Sequence, residues 1–493
     1  MKKFFRIICG RVFAAGLFIF IQVLFVFLLV YQLSEYSLFL RTIMSIVSFG
    51  LIIYLVNKHE NPMFTLSWSL AILLFPPAGW IFYFIFRRRD IKKISGKEDI
   101  RDRTGERIDN LSDDIYRIVS YIYSVSDYRC SFGSKTEYFP TGETFYSDYI
   151  YNLKKAEKYI FLEYFIYSRG QMWTEVYEIL KERASKGVEI RIIYDDLCSS
   201  MFDRKMRRDL ENRGIKTAAF NEVKPFPNIF LNYRDHRKIT VIDGELAYTG
   251  GINVADEYIN RKERFGYWKD SVVKITGLAA VDIAVSFLRM WQQCTSEKIN
   301  LKKYKTERKY ESNLVLPFDD NPGDSNRTAE MIYLKIINNS EKYVYITTPY
   351  LIPDVEMLTA LRLAAKSGID VRIVTPHIPD KKIIFSVTRS NYLKLLKDGV
   401  QIYEYLPGFI HSKTIVSDDE SAVVGTANFD YRSFYLLYEN GVYMYRTDAV
   451  IQMKTDFEDI LKSCVKITEE YYHDIPVLNR FLGAILKIFS PLM

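Results

Sequence analysis

The stretch His236-Arg237-Lys238-Ile-Thr-Val-Ile-Asp243 returns 175 residues later as His411-Ser412-Lys413-Thr-Ile-Val-Ser-Asp418. The match continues past the aspartates, because Gly250 and Asn253 correspond to Gly425 and Asn428. Eight of the eighteen positions from 236 to 253 are identical in the two copies. The chain has five histidines, and two of them occupy equivalent places in this repeat. The pattern predicts one site to which each copy contributes a histidine.

The same order of predicted elements precedes each copy of the motif. An apolar strand (158–166 and 342–350) is followed by a helical stretch and then by a second strand (188–194 and 369–375). Each helical stretch ends at a glycine, Gly187 or Gly368, which suits the left-handed position after a helix. The repeated unit predicts an α/β fold of two similar lobes with parallel or mixed sheets.

Each motif is predicted to lie on a strand that turns at its aspartate. His236 and Lys238 are two positions apart, so on one strand both would point to the same face. Asp243 and Asp418 belong to the catalytic motifs, but their place at the turn favours bracing the strands over touching a substrate. A lone H-x-K tripeptide carries little information, whereas two complete copies in register do.

The residue types suit the transfer of a phosphodiester. Lys238 and Lys413 would offset the negative charge of the phosphate, and the amides of Asn253 and Asn428 would donate hydrogen bonds to its oxygens. One neutral histidine can attack phosphorus, and the other, protonated, can give its proton to the departing alkoxide.

Two acids are candidates for holding the histidine rings. Asp270 follows His236 by 34 residues and Glu439 follows His411 by 28, so each acid is assigned to the histidine that precedes it. An ordinary salt-bridge role for either acid stays open. We expect no cofactor and no metal, because the acidic cluster that a two-metal site needs is not evident.

The composition of the chain limits the kinds of partner that we expect it to bind. Apolar residues make up 48% of the 493-residue chain and aromatic residues 15%, which argues against disorder and suggests contact with lipid. The net charge of +7 suits an anionic membrane surface or an anionic substrate. No long Lys/Arg block is present, so no nucleic-acid partner is expected. Five scattered cysteines without a C-x-x-C predict unpaired thiols.

Three apolar runs predict a membrane anchor: residues 12–33, 42–56 and 64–86, the last interrupted by Pro76-Pro77. Cationic residues flank both ends of this region, which predicts that both ends are cytoplasmic, and three full spans cannot satisfy that. Either the first run is processed or lies in the interface, or the third turns back at Pro76-Pro77. We predict a multi-pass protein of the bacterial cell membrane with an even number of spans and cytoplasmic lobes.

Both motifs fit the signature H-x-K-x4-D-x6-G-[GST]-x-N, and the chain thereby resembles the phospholipase D superfamily. It is most similar to bacterial cardiolipin synthases in residues 236–243, 250–260, 408–419 and 425–434, in the leader from Asn61 to Trp80, and in the ending Ser490-Pro491-Leu492. The resemblance implies two pseudo-symmetric phospholipase D-like α/β lobes with the active site between them, preceded by N-terminal transmembrane helices.

On this basis we divide the chain into membrane-anchoring segments (1–90), a linker (91–135), a first lobe (136–300), a linker (301–325) and a second lobe (326–493). The second lobe ends in an apolar stripe at helical spacing, which predicts either a membrane-surface helix or ordinary core packing. The stripe comprises Leu478, Phe481, Leu482, Ile485, Leu486 and Phe489.

The resemblance also implies a reaction. A phosphatidyl group would pass from one phosphatidylglycerol to His236 as nucleophile and then to a second phosphatidylglycerol, with His411 as general acid and base, to give cardiolipin and glycerol. Phosphatidylglycerol and other anionic phospholipids of the membrane are thus the expected partners. The alternatives are a phospholipase D-type hydrolase, a head-group exchanger using another alcohol, a nuclease of the same superfamily, and an inactive membrane scaffold. The apolar N-terminus argues against the nuclease, and the two complete motifs argue against the scaffold.

Overall fold

A computed structural model describes residues 37–58, 61–87, 111–126, 132–222, 232–304, 310, 313–323 and 326–492. The strands are β1 (Ser134–Phe139), β2 (Tyr159–Tyr164), β3 (Glu189–Asp195), β4 (Lys216–Phe220), β5 (Arg234–Asp235), β6 (Lys238–Ile242), β7 (Leu246–Gly250), β8 (Tyr267–Lys269), β9 (Val272–Gly277), β10 (Leu314–Asp320), β11 (Tyr343–Thr347), β12 (Leu351–Ile352), β13 (Asp370–Pro376), β14 (Gln401–Tyr405), β15 (Gly408–Ile410), β16 (Thr414–Ser417), β17 (Ser421–Gly425), β18 (Phe429–Asp430), β19 (Leu437–Tyr445) and β20 (Cys464–Ile467).

The helices are α1 (Ser37–Val56), α2 (Pro62–Leu74), α3 (Ala78–Phe86), α4 (Asp113–Val125), α5 (Gly142–Lys155), α6 (Gln171–Ser185), α7 (Arg204–Asn212), α8 (Leu278–Thr295), α9 (Thr328–Asn339), α10 (Val355–Lys366), α11 (Lys382–Ser390), α12 (Tyr392–Lys397), α13 (Tyr431–Leu436), α14 (Asp448–Leu461), α15 (Glu469–Asp474) and α16 (Val477–Ile488). Gly187 and Gly368 follow α6 and α10 with positive φ angles of 86° and 95°, as the sequence predicted.

Two mixed sheets with the same strand order form the lobes. The first runs β1-β9-β7-β6-β2-β3-β4, and the second runs β10-β19-β17-β16-β11-β13-β14 and continues to β20. In each sheet three strands are parallel (β2, β3, β4 and β11, β13, β14), and the strand after the motif histidine pairs antiparallel with the first of them. The α/β fold is therefore confirmed, and the two sheets have the same strand order.

The two sheets share one apolar core. A single cluster of buried side chains includes Val241 of β6, Val416 of β16 and Val424 of β17, together with much of α8. Phe287 of α8 stacks on Phe161 of β2 with ring centroids 4.7 Å apart. Because apolar side chains of both sheets are buried in the same cluster, the two motif strands are held in a fixed relation to each other.

The N-terminal helices pack on each other and on the second lobe. Trp68 and Ile72 of α2 form a small cluster with Tyr83 of α3. The Asn61 amide donates to Asp354 Oδ2 (3.0 Å) and to the Tyr435 hydroxyl (2.9 Å), so the start of α2 is tied to the second lobe. No helix within the described ranges is both long and apolar enough to cross a membrane.

The structure gives a different outcome for each of the three predicted apolar runs. The run 12–33 lies outside the described residues. The run 42–56 lies within α1. The run 64–86 is divided between α2 and α3, which end and begin on either side of Pro76-Pro77, so it is not one straight helix.

The apolar stripe near the C-terminus lies on α16. Leu478 is 66% exposed and Phe481 is 60% exposed, and Leu482 and Ile485 are exposed as well. Leu486 packs against the core of the second lobe. Core packing therefore explains only the inner edge of the stripe, and the rest forms an apolar face on the surface.

Candidate active site

His236 lies between β5 and β6, and its side chain is almost completely buried. Its backbone N–H donates to the Tyr438 carbonyl of the second lobe at 2.9 Å. Its Nδ1 lies 2.9 Å from Glu439 Oε2, and Phe165 packs edge-on against the ring, with centroids 5.0 Å apart. In the tautomer that donates from Nδ1 to the carboxylate, the lone pair on Nε2 is available for attack.

His411 has the equivalent surroundings in the second motif. It lies between β15 and β16, and its backbone N–H donates to the Lys269 carbonyl of the first lobe at 2.7 Å. Its Nδ1 lies 2.7 Å from Asp270 Oδ2. Trp268 and Tyr258 pack against the ring, with centroids 5.3 and 5.5 Å away. Aromatic walls thus cover both imidazoles and limit their access to water.

The histidine–acid pairs are crossed between the lobes, so the sequence-based assignment of each acid to the preceding histidine is wrong. The reason is the strand pairing. β5, just before His236, pairs in parallel with the start of β19, which carries Glu439. β15, just before His411, pairs in parallel with β8, which leads into Asp270. Each histidine is therefore carried past the acid of the opposite lobe.

The prediction that each histidine and lysine share one strand is also only partly right. Lys238 begins β6, but His236 precedes the strand, and Lys413 and His411 both precede β16. Each lysine ammonium folds back to donate to the backbone carbonyl of its own histidine. Both lysines are buried, and within the described parts of the chain no further hydrogen-bond acceptor meets either ammonium. Their remaining N–H groups suit an anion.

Burial and these lysines shape the titration of the site. Burial lowers the pKa of Lys238 to about 8 and the pKa of Lys413 to about 7. Burial, then the charges of Lys238 and Lys413, hold the pKa of His236 well below its usual range. Burial and Lys413 lower the pKa of His411 to about 4, although Asp270 opposes them. The charges of Lys238 and Lys413 balance those of Asp270 and Glu439, and a bound phosphodiester would favour protonation of one of the two histidines.

The carboxyl groups of Glu439 and Asp270 have pKa values shifted in opposite directions. Burial raises the pKa of Glu439 to about 7, with Lys238 and Thr426 acting in the opposite direction. Burial would also raise the pKa of Asp270, but His411 and Lys413 outweigh it and bring the pKa below its usual value. Asp270 is therefore the better counter-ion for an imidazolium, and Glu439 is the acid that titrates near neutral pH.

A difference between the motifs accompanies this asymmetry. The Thr426 hydroxyl donates to Glu439 Oε2 at 2.5 Å. The equivalent residue in the first motif is Gly251, where a Cβ atom would lie 2.0 Å from Asp270 Oδ1. Only glycine leaves room for the Asp270 carboxylate at position 251. The residue at the [GST] position of the signature therefore differs between the two halves, and each one fits the acid that it contacts.

Asp243 and Asp418 brace the fold, as their position at the turns suggested. The Asp243 carboxylate accepts hydrogen bonds from the backbone N–H groups of residues 157, 158 and 159, at 2.7–2.9 Å. Asp418 accepts from residues 341, 342 and 343 in the same way. Both aspartates have positive φ angles, 55° and 57°. They fasten the motif hairpin to the neighbouring strand and contact neither histidine.

The two asparagines are buried and partly occupied within the protein. Asn253 accepts from the Ile166 N–H at 3.0 Å and donates to the Tyr258 hydroxyl at 2.7 Å. Asn428 donates to Asp430 at 3.2 Å. Each amide nitrogen carries a second hydrogen, so the predicted contact with a phosphate stays a prediction.

Sequence reasoning missed two cations and the aromatic walls. Lys381 and Arg432 lie close enough to His236 for their charges to contribute to the lowering of its pKa. Arg432 falls within the stretch 425–434 that carried the resemblance, and its arginine could have been noticed there. Lys381 follows a Pro379-Asp380 pair in a loop, with no repeat to mark it.

One acidic group outside the site has metal-ligand spacing among the described residues: Glu330, Asp354 and Glu356. Arg327 already forms ion pairs with all three, at 3.1, 3.6 and 2.9 Å. A cation is thus supplied by the protein itself, and none of the three residues contacts a motif histidine.

The geometry agrees with comparisons to known proteins. The family described as "Cardiolipin synthase, PLD-like domain" matches residues 149–291 and 333–461, and the family "Phospholipase D-nuclease N-terminal" matches residues 46–88. The chain belongs to the cardiolipin synthase family. The two PLD-like matches extend from α5 to α8 and from α9 to α14, so each includes one histidine motif and the acid that contacts the histidine of the other.

Relatives support this membership over nearly the whole chain. Cardiolipin synthases from Halalkalibacterium halodurans and Alkalihalophilus pseudofirmus are 33% and 32% identical to it, each covering 91% of this chain and 92% of the relative. A Streptococcus mutans protein described as uncharacterized is 38% identical over 90% of this chain and 100% of its own length. The crystal structure of phosphatidylserine synthase from Haemophilus influenzae has the same fold, with a TM-score of 0.56 and 13% identity, covering 73% of this chain and 93% of that one.

Proposed function

We propose that the protein is a cardiolipin synthase that joins two phosphatidylglycerol molecules through a phosphohistidine. The observation that carries the proposal is the pair of buried, crossed histidine–carboxylate contacts, each beside a buried lysine that meets, among the described residues, no acceptor beyond the carbonyl of its own histidine. Two histidines held through Nδ1 and two ammonium groups form a site for a phosphodiester.

In the first step, His236 Nε2 attacks the phosphorus of one phosphatidylglycerol. A P–N bond forms, the bond from phosphorus to the glycerol oxygen breaks, and His411 gives its proton to that oxygen. In the second step, His411 takes the proton from the free hydroxyl of a second phosphatidylglycerol as that oxygen attacks phosphorus and the P–N bond breaks. Lys238 and Lys413 offset the charge of the phosphate throughout.

The assignment of roles rests on the asymmetry of the acids. Asp270 stays ionised, which stabilises the imidazolium that His411 must become as general acid. His236 stays neutral because its pKa is lowered by burial and by both lysines, and a nucleophile must be neutral. Its Nδ1 hydrogen bond to Glu439 orients the ring for attack.

The product assay tests the activity. Purified protein is incubated in phosphatidylglycerol vesicles with a metal chelator, and cardiolipin, glycerol and phosphatidic acid are quantified beside His236→Ala and His411→Ala. We expect cardiolipin and glycerol in equal amounts, lost in both variants. Phosphatidic acid as the main product would establish a hydrolase, and exchange with an added alcohol would establish a head-group exchanger.

A substrate with a nitrophenol leaving group tests the roles. Nitrophenolate needs no proton to depart, so His411→Ala should release one equivalent per enzyme in a burst, and His236→Ala should release none. A burst in His236→Ala alone would reverse the roles.

The setting we propose is the bacterial cell membrane, with a multi-pass N-terminal anchor, cytoplasmic lobes, and α16 lying on the membrane surface. Supporting this are the uncharged run 12–33, the match to the N-terminal family over 46–88, and the exposed apolar face of α16. Protease digestion of right-side-out and inverted vesicles tests the orientation. Lobes cleaved in right-side-out vesicles would place them outside the cell and contradict it.

A further inference from the structure

A cavity lies outside the histidine site, between α11 and α16. It has a volume of about 310 Å³, within the range of small-molecule sites. The two helices approach closely where Gly483 of α16 meets α11, since a Cβ atom on this glycine would lie 2.6 Å from the Ser386 carbonyl oxygen. The cavity opens beside this crossing, and both helices contribute side chains to it.

The lining combines cationic and polar side chains with apolar ones such as Phe385 and Ile475. Lys382 and Arg480 line it, and within the part of the chain that the structure describes neither has a carboxylate within ion-pair distance. Arg480 donates to His473 Nδ1 at 3.2 Å, while its Nε is buried without an acceptor. Arg389 also lines the cavity but is neutralised by Glu404, 2.6 Å away. Two uncompensated cations with free donors select an anion.

The surroundings point to a lipid anion. The exposed apolar face of α16, with Leu478 and Phe481, adjoins the cavity on the same helix as Asn479 and Arg480. Helix α2 contacts α16, because Ser67 donates to the Ile488 carbonyl at 2.5 Å, and α2 also exposes apolar side chains, namely Leu66, Leu73 and Leu74. Cations beside an apolar surface match a phosphate group at the membrane interface better than they match a soluble anion or a peptide.

We propose that this cavity binds the phosphate head-group of an anionic phospholipid that is not undergoing reaction. The apolar face of α16 accommodates the acyl region of the surrounding membrane. Lys382 lines the cavity, and the preceding residue, Lys381, lies close enough to His236 for its charge to act there. The bound lipid therefore holds the membrane surface on the side of the protein where Lys381 approaches His236.

Calorimetric titration of the full-length protein in neutral detergent micelles with phosphatidic acid tests the proposal, because the N-terminal anchor would hold the protein in any vesicle. Phosphatidic acid carries a phosphate head-group but no head-group alcohol that the catalytic site could displace. Lys382→Gln with Arg480→Gln removes the two cations. Lys462→Gln with Arg446→Gln, on exposed residues elsewhere on the second lobe, is the matched control for the change in charge.

We expect the cavity pair to bind phosphatidic acid about 25-fold more weakly, about fivefold for each cation, and the control pair to bind like the wild type. Asn479→Trp fills the mouth of the cavity without changing the charge and should weaken binding as well. Turnover of micellar phosphatidylglycerol should change less than twofold in these variants, which separates this test from that of the catalytic proposal.

Three results would overturn the proposal. Equal loss in both charge pairs would indicate a general surface effect. Unchanged binding in Asn479→Trp would show that the cavity is not occupied. Displacement of phosphatidic acid from the protein by millimolar inorganic phosphate would make the site one for a soluble anion.

Discussion

Glu439 Oε2 lies 2.9 Å from His236 Nδ1, although the two residues are 203 positions apart and belong to different lobes. The same exchange joins Asp270 to His411 at 2.7 Å. Each catalytic unit is therefore built from both halves of the chain. The acids act through the histidines, so their removal should change the pH profile as well as the rate.

Asp270→Asn is expected to reduce kcat by about 100-fold or more, because the imidazolium of His411 loses its counter-ion. The nitrophenyl substrate supplies the control, since its first step needs no acid and the burst should survive. Loss of the burst together with turnover would indicate a misfolded site instead of a lost counter-ion.

The pH dependence of kcat/KM is expected to be bell-shaped, with its maximum at about pH 7. Glu439, whose pKa burial raises to about 7, becomes protonated as the pH falls and no longer accepts from His236. Lys413 and Lys238, with pKa values lowered to about 7 and 8, lose their charge as the pH rises. These groups interact, so the apparent pKa values of the two sides of the bell, its acid limb and its basic limb, belong to the cluster as a whole.

Glu439→Gln is the variant that checks this explanation, because it removes the group assigned to the acid limb. Initial rates in mixed micelles from pH 5 to 9 provide the measurement. An unchanged acid limb in Glu439→Gln would assign that limb to another residue.

Thr426→Val is expected to lower kcat by about tenfold and to move the acid limb to higher pH. The hydroxyl stabilises the Glu439 carboxylate by a hydrogen bond, and without it the pKa of that acid rises further. Thr426→Ser keeps the donor and should restore both the rate and the limb. If Thr426→Ser restored the rate but not the pH of the acid limb, Thr426 would act by packing alone.

Asp243→Ala is expected to lower the free energy of unfolding by about 3 kcal/mol, from the loss of charge-assisted hydrogen bonds and from alanine's poor fit to a positive φ. Asp243→Asn keeps one acceptor oxygen and tolerates that φ, so its loss should be smaller. Denaturant titration gives both values. Activity per folded molecule should stay near that of the wild type in Asp243→Asn, whereas a selective loss of kcat would place Asp243 in the chemistry.

Leu478→Ser with Phe481→Ser is expected to remove the protection of α16 from hydrogen exchange that vesicles provide and to leave the melting temperature within about 2 °C, because both side chains are already exposed in the fold. Hydrogen exchange with and without vesicles, and thermal melting, supply the two measurements. A large fall in melting temperature would show that the face is covered by protein.

Much of the fold and of the candidate site could be predicted from the sequence, because it depends on patterns within short stretches of the chain. The strand–helix–strand order, the glycines after α6 and α10, and the bracing role of Asp243 follow from short-range patterns. The crossing of Glu439 and Asp270 could not, since it depends on β5 pairing with β19 and β8 with β15, contacts between segments about 140 to 200 residues apart. Lys381 was missed for the same reason, since a lone lysine in a loop has no pattern until the fold brings its charge near His236.

The crossed pairs also bear on how such a chain could arise. A polypeptide with a single lobe would hold its histidine and its acid on separate strands, pointing to a partner that it lacks. An ancestor of half the present length could have been active only as a two-fold symmetric pair of identical subunits, each lending its acid to the other. Joining the two genes would have allowed each half to change alone. The two halves now differ at equivalent positions, because Gly251 lies against Asp270 whereas Thr426 lies against Glu439. Two identical subunits could not have had this difference.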